Sequence, residues 1–179
     1  MRSLIISSLK FLSYKIDKMS LEIADNTSIL MKNYNSEDEW SFSVGIRHPL
    51  YIVSERIYIG GLDICLFAGE KESPDVSLHA GIAGAFKVVG DGIPADKEEK
   101  IAKNQIPALL SPYLRAGITG VLALSGFGSV VPPLLNFNKL AEEQLKDVEI
   151  VRIVQESVDE SKTEGSSAFQ PIGSDEWHV

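Results

Sequence analysis

The sequence predicts an α+β fold, a four-stranded antiparallel sheet followed by one long and one short C-terminal helix and an acidic, disordered tail. Three observations predict it. Successive segments in the first half show the period-two alternation of half-buried strands. The links between most of them are short, which favours antiparallel neighbours over parallel crossovers. Beyond about residue 96 the apolar spacing changes to that of a helix.

The first strand runs over residues 9–24 and changes phase midway. Leu12, Tyr14 and Ile16 share one face, whereas Met19, Leu21 and Ile23 fall in the opposite register. A bulge near Asp17-Lys18 would bring both sets to one core. The segment ADNTSILMKNYNSEDE then reads as a crossing loop, with an apolar knot at Ile29, Leu30 and Met31. In the second strand Trp40, Phe42, Val44 and Ile46 alternate with Ser41, Ser43, Gly45 and Arg47. His48-Pro49 interrupts it before Leu50-Tyr51-Ile52-Val53, as suits an edge or bulge. The third strand spans about Ile57 to Phe67, with Gly60-Gly61 bending it or admitting close backbone approach. The fourth places Val76, Leu78, Ala80, Ile82, Gly84, Phe86 and Val88 on one face.

The charged segment 96–105 leads into a helix in which Leu110, Tyr113, Leu114, Gly117, Ile118, Val121 and Leu124 keep helical spacing. Pro107 and Pro112 start or kink it, because each removes a backbone donor. Gly126 and Gly128 are suited to end it. The stretch VVPPLL is then extended, since residues before proline avoid the helical region. Asn136 is an N-cap for a second helix over about 137–147, with Leu140 and Leu145 facing inward. Past about residue 156 the chain is acidic, rich in Ser and Gly, and poor in branched apolar residues, the composition of a disordered segment.

Composition excludes several functions. The chain has 179 residues, enough for one domain with a core, and a net charge of −8. That charge argues against nucleic acid, whose binding needs a basic field. A single cysteine, Cys65, excludes an internal disulfide and multi-cysteine metal sites, and its apolar run LDICLFA predicts a small buried hydrophobe. It is compatible with a reducing, cytoplasmic location. The start MRSLIISSLKFLSYK lacks the cleavage pattern of a signal peptide, and Lys10 interrupts its apolar run. In SPYLRAGITGVLALSGFGSVVPPLLNF, Arg115 and the flanking prolines leave too short an apolar run for insertion in a membrane.

Catalytic signatures are absent. His48, His79 and His178 are scattered, and His79 alternates onto the sheet surface. Gly90-Asp91-Gly92-Ile93-Pro94-Ala95 matches G-x-G-x-x-A, yet no strand returns to complete a parallel β-α-β unit, so it reads as a plain strand-to-helix turn. No enzyme, cofactor or metal is expected.

With these segments in place, the chain resembles the SecB family of export chaperones. The family's long helix carries P-Y-x-R-x-x-I-T, matched by Pro112, Tyr113, Arg115, Ile118 and Thr119. Phe127, Asn136 and Phe137 match the aromatic that follows and the Asn-Phe opening the last helix, without a gap. Tyr14, Ser20, Leu21 and Glu22 match the first strand. The likeness covers residues 8–147, leaving 148–179 as the acidic tail.

The resemblance implies a holdase without ATPase activity, assembled as a dimer of dimers, that binds non-native polypeptides in apolar grooves. Carried onto this chain, the groove lining is Ile29, Leu30 and Met31 of the crossing loop and Trp40, Phe42 and Val44 of the second strand. Phe127, Val130, Val131, Leu134, Leu135 and Leu140 complete it. The small face Ala116, Gly117, Gly120 and Ala123 would let another subunit's helix approach, or pack on the chain's own sheet. The family docks the translocation ATPase SecA through acidic sheet residues. Glu22 matches one, but Lys18 stands at the acidic position four residues earlier, and the family's usual C-terminal ending is missing. A SecB-like chaperone of a toxin–antitoxin system is therefore an alternative. From a different class, so is a small-ligand-binding protein using the sheet–helix crevice.

Overall fold

The computed structural model describes residues 9–25, 34, 40–70, 72–90, 93–127 and 130–154. The strands are β1 (Leu9–Ile23), β2 (Trp40–Ile46), β3 (Leu50–Ile52), β4 (Ile57–Glu70), β5 (Ser73–Val88) and β6 (Val151–Ile153). The helices are α1 (Ala95–Lys100), α2 (Ile106–Leu124) and α3 (Phe137–Gln144), with a π-helical turn, Ile101–Gln105, joining the first two. The strands form one mixed sheet in the order β1-β5-β4-β3-β6, and β2 also pairs with β4. Every pairing is antiparallel except that of β3 with β6.

The α+β class agrees with the expectation, but the four-stranded antiparallel sheet does not. Pro49, without an N–H, breaks the ladder, so the expected second strand is divided. Its halves lie end to end along β4, β2 opposite Leu62–Ala68 and β3 opposite Ile57–Ile59. The other difference is β6, which lies within the segment assigned to the disordered tail and adds a parallel strand to β3. It is held by Arg152, which donates to Glu98 of α1 at 2.8 Å and lies 5.4 Å above the Tyr51 ring. Burial alone would raise the Glu98 carboxyl, but hydrogen bonds from Tyr58 and Arg152 outweigh it and hold the group below its usual value. Residues 155–179 of the expected tail lie outside the described residues.

In β1 the expected bulge falls between Ile16 and Lys18. A second, between Phe11 and Ser13, puts Phe11 rather than Leu12 in line with Tyr14 and Ile16. The two bulges align Phe11, Tyr14, Ile16, Met19 and Leu21 opposite the core-facing residues of β5.

One face of the sheet carries the core. Ile106, Leu110, Leu114, Ile118 and Leu122 recur every fourth position of α2 and are fully buried with Leu62, Ile64, Leu78 and Ile82 of β4 and β5. The helical run Lys97–Leu124 is long and apolar enough to cross a membrane by length and composition. Its buried stripe against the sheet is the packing of a core helix. Tyr113 and Leu124, which share the helical spacing of the apolar residues, are exposed. At its end Gly126 takes a positive φ of 87°, its N–H bonds to Ala123 C=O, and the Phe127 N–H reaches back to Leu122 C=O. This Schellman closure turns the chain back toward β2. Asn136 caps α3 as expected, its side chain accepting from the Lys139 N–H at 3.1 Å.

The opposite face is more open. Cys65 lies there, not in the core, with Sγ 3.1 Å from His79 Nδ1 of the neighbouring strand. Arg47 spans the same face. It donates to Asp63 through Nε at 2.9 Å and to Asp17, at the β1 bulge, through Nη2 at 2.8 Å. The hydrogen bond from Arg47 holds the Asp17 carboxyl below its usual range. A depressed folded-state pKa gives stability that is present above the unfolded value, about 3.9, and is lost as pH falls through the folded one. Arg47→Met should therefore cost at most about 1 kcal/mol near neutral pH, and its gap from wild type should close in acid, below about pH 4. Urea titrations at several pH values check this.

Candidate functional site

A largely apolar pocket of about 210 Å³ lies between β2–β4 and the chain that follows α2. Trp40, Phe42, Leu66 and the run Val130–Pro133 line it. Sequence alternation and register place the strand side of this wall, because Phe42 lies opposite Leu66 with both side chains on the helix-bearing face. Trp40 is the fixed part. Its Nε1–H donates to Tyr34 C=O at 3.0 Å, and its ring meets Phe127 edge-on with centroids 5.8 Å apart. The Schellman turn at Gly126 is thus what delivers Phe127 to Trp40.

The other wall is extended because it contains Pro132-Pro133. Arg115 anchors it, donating through Nε to Pro132 C=O at 2.8 Å. The arginine inside the most apolar stretch of the chain therefore positions the loop behind it. Phe42 is 47% exposed although it belongs to a core-facing row. The pocket thus offers an aromatic surface beside a shallow apolar cavity, without any titratable side chain among its lining residues.

The structure brings together Trp40, Phe42, Val130 and Val131 at this pocket, with Phe127 behind Trp40. Val130 is only 2% exposed and is also part of the core, so the surface expected of it falls mainly to Val131. Val44 is half-buried against the core. Leu134, 85% exposed, and Leu135 line a separate open depression of about 710 Å³ beside Lys100 and Asn104. Leu140 joins a small second core with Ile46, Ala141 and Leu145. Ile29, Leu30 and Met31 lie outside the described residues. Leu66, Tyr34 and Arg115 belong to the site without having been singled out for it. For Leu66 the signal was available, since it continues the Leu62, Ile64 alternation directly opposite Phe42.

On α2 the small face divides. A Cβ on Gly117 would meet Ile16 Cδ1 at 3.0 Å, so this glycine packs on the chain's own β1, whereas Gly120 faces open space and Ala116 and Ala123 are exposed. Beside them Tyr113 stacks near Phe11 and Tyr14, at centroid distances of 6.0 and 4.6 Å. Phe11, Tyr14 and Tyr113 are all exposed, along the sheet edge where β1 has no further neighbour among the described residues. Glu22 and Lys18 are exposed on β1, opposite Ser77 and Gly81.

No family model matches the chain, and no curated protein matches it significantly. Among solved structures the fold is similar to that of a SecB-like chaperone of Mycobacterium tuberculosis, determined in complex with a ChAD peptide from the HigA1 antitoxin. The two share 9% identity with a TM-score of 0.51, over 72% of this chain and 91% of that one. A protein of unknown function from Streptococcus agalactiae is 11% identical over 70% of this chain and 97% of its own, at a TM-score of 0.33, too slight a likeness to carry an argument. The chain thus has a SecB-like fold.

Proposed function

We propose that this protein is an ATP-independent holdase that binds non-native polypeptide at the apolar surface formed by Phe42, Trp40, Leu66, Val131 and the adjoining prolines. The observation that carries the proposal is this pocket, with a half-exposed aromatic on an otherwise buried strand face, on a SecB-like fold. Apolar contact is non-directional and tolerates many sequences, which a chaperone needs. No reacting group is required, and we assign no catalysis.

A dedicated client, such as an antitoxin, is favoured over general delivery to SecA. The similar chaperone holds an antitoxin peptide, and Lys18 interrupts the acidic surface that Glu22 would otherwise extend on β1. Self-association through β1 and α2 fits the exposed Phe11, Tyr14 and Tyr113, and assembly as a dimer of dimers would cover them. A cytoplasmic location suits the single free thiol. The small-ligand alternative is weaker, because the pocket of about 210 Å³ is smaller than the roughly 300–1,000 Å³ typical of small-molecule sites and the depression of about 710 Å³ is wide open rather than enclosing.

Site-specific photocrosslinking tests the assignment. Benzoylphenylalanine replacing Val131 should capture reduced, carboxymethylated α-lactalbumin, whereas the same group replacing Ser43, on the opposite sheet face, should not. Equal capture at both positions, or none at Val131, would overturn it.

A further inference from the structure

The free edge of β2 continues the site in a way that side-chain patterning does not reveal. Among the described residues β2 pairs only with β4, so its other edge presents main-chain donors and acceptors. The Arg47 N–H bonds to Gly61 C=O across β4 at 3.0 Å. Main-chain groups alternate sides along a strand, so those of Trp40, Phe42, Val44 and Ile46 point the other way, toward the free edge.

Along β3, which continues the line of β2, the same edge is already covered. Ile153 C=O accepts from the Val53 N–H, β6 pairs along Leu50–Ile52, and Pro49 C=O accepts from the Val151 N–H. Further along stands Gln144, the last residue of α3. Its Nε2 donates to Val44 C=O at 2.6 Å, and its Oε1 accepts from the Ile46 N–H at 2.8 Å. These are the two groups that one residue of a parallel neighbouring strand would use, so the carboxamide imitates a strand at that position. Beyond it the cover stops. Among the described residues nothing bonds to the outward N–H and C=O of Phe42, and the apolar pocket opens at this point.

We infer that the open edge at Trp40–Val44 takes up an extended polypeptide segment through main-chain hydrogen bonds, and that Gln144 is the stop that sets its register. The inference rests on the proposed polypeptide-binding function and specifies how the client is held. The partner is a segment in β conformation, without proline at the bonding positions, with apolar side chains on alternate residues facing the pocket. Gln144 is a positioning residue, because it touches the strand edge and ends the ladder that the client can form.

A fluorescein-labelled ten-residue peptide alternating valine or phenylalanine with threonine is the probe, read by anisotropy. A backbone N-methyl group is moved along it one residue at a time, removing one N–H without changing the side chains. The expected result is loss at alternate positions, about fivefold each, with little effect between them. In Gln144→Ala the run of sensitive positions should lengthen, because Val44 C=O and Ile46 N–H become available. Gln144→Met, which keeps length and packing but not the amide, should behave the same way, and circular dichroism confirms that α3 is retained. Three results would overturn the inference. Peptide binding that Val131→Asp removes but N-methylation does not modulate leaves the groove intact and rules out edge pairing. The same sensitive positions in wild type and both Gln144 variants rule out the stop. Failure of every peptide to bind removes the polypeptide-binding reading as well.

Discussion

Gly84→Val should lower the melting temperature by about 10 °C, corresponding to about 3 kcal/mol. Gly84 of β5 lies opposite Gly60 of β4 beneath α2. A Cβ on Gly84 would come within 2.6 Å of Leu110 Cδ2, and one on Gly60 within 2.7 Å of Ile106 Cγ2. Both side chains are fully buried, so neither can move aside into solvent. The helix must lift from the sheet, and Leu114 and Ile118 lose contact with it. Ala85→Val, at the next position and on the open face, should change stability little. Thermal unfolding of the two variants side by side separates close helix approach from a general intolerance of β5 to larger residues.

Val131→Asp should weaken binding of an unfolded client by about a hundredfold while leaving the fold intact. Val131 is partly exposed at the pocket, so in the free protein its carboxylate remains hydrated. A client covering the pocket would have to strip that water without supplying a partner, at about 3 kcal/mol, roughly a hundredfold in affinity. Leu134→Asp should have a much smaller effect, because Leu134 lies in the separate depression beside Lys100. The difference between the two locates the client on the β2 side of the loop. Isothermal titration with reduced, carboxymethylated α-lactalbumin measures it.

Much of the fold is legible in the sequence where one residue decides the local geometry. Gly126, Asn136 and the phase change at Asp17 are such cases, and each produces its turn, cap or bulge where expected. Elements that depend on pairing are harder to read. The bulge at Leu12 leaves a segment whose alternation already looks regular, so only the register with β5 reveals it. β6 has three residues, and its stability comes from Leu50–Ile52, Tyr51 and Glu98, far away in sequence. LDICLFA reads as one apolar run and so predicts a buried Cys65, but alternation along β4 turns it to the open face with His79.

The site was legible to a similar degree. Alternation put Trp40 and Phe42 on one strand face and the proline pair predicted the extended wall around Val131, whereas their place in a groove came only from the resemblance to the SecB family. Composition could not separate Val131 from Leu134, because both are apolar residues on one loop. Their division between two cavities follows from where Arg115 fastens Pro132. Nor could spacing find Gln144, a polar helix-terminal residue whose role appears only when α3 is seen against the edge of β2.

Light scattering during dilution of guanidinium-unfolded luciferase tests the central claim most directly. The wild-type protein should suppress aggregation near stoichiometric ratios without ATP, and Val131→Asp, with unchanged circular dichroism, should not. Aggregation unaffected by the wild-type protein, or equal protection by the folded Val131→Asp variant, would contradict the account.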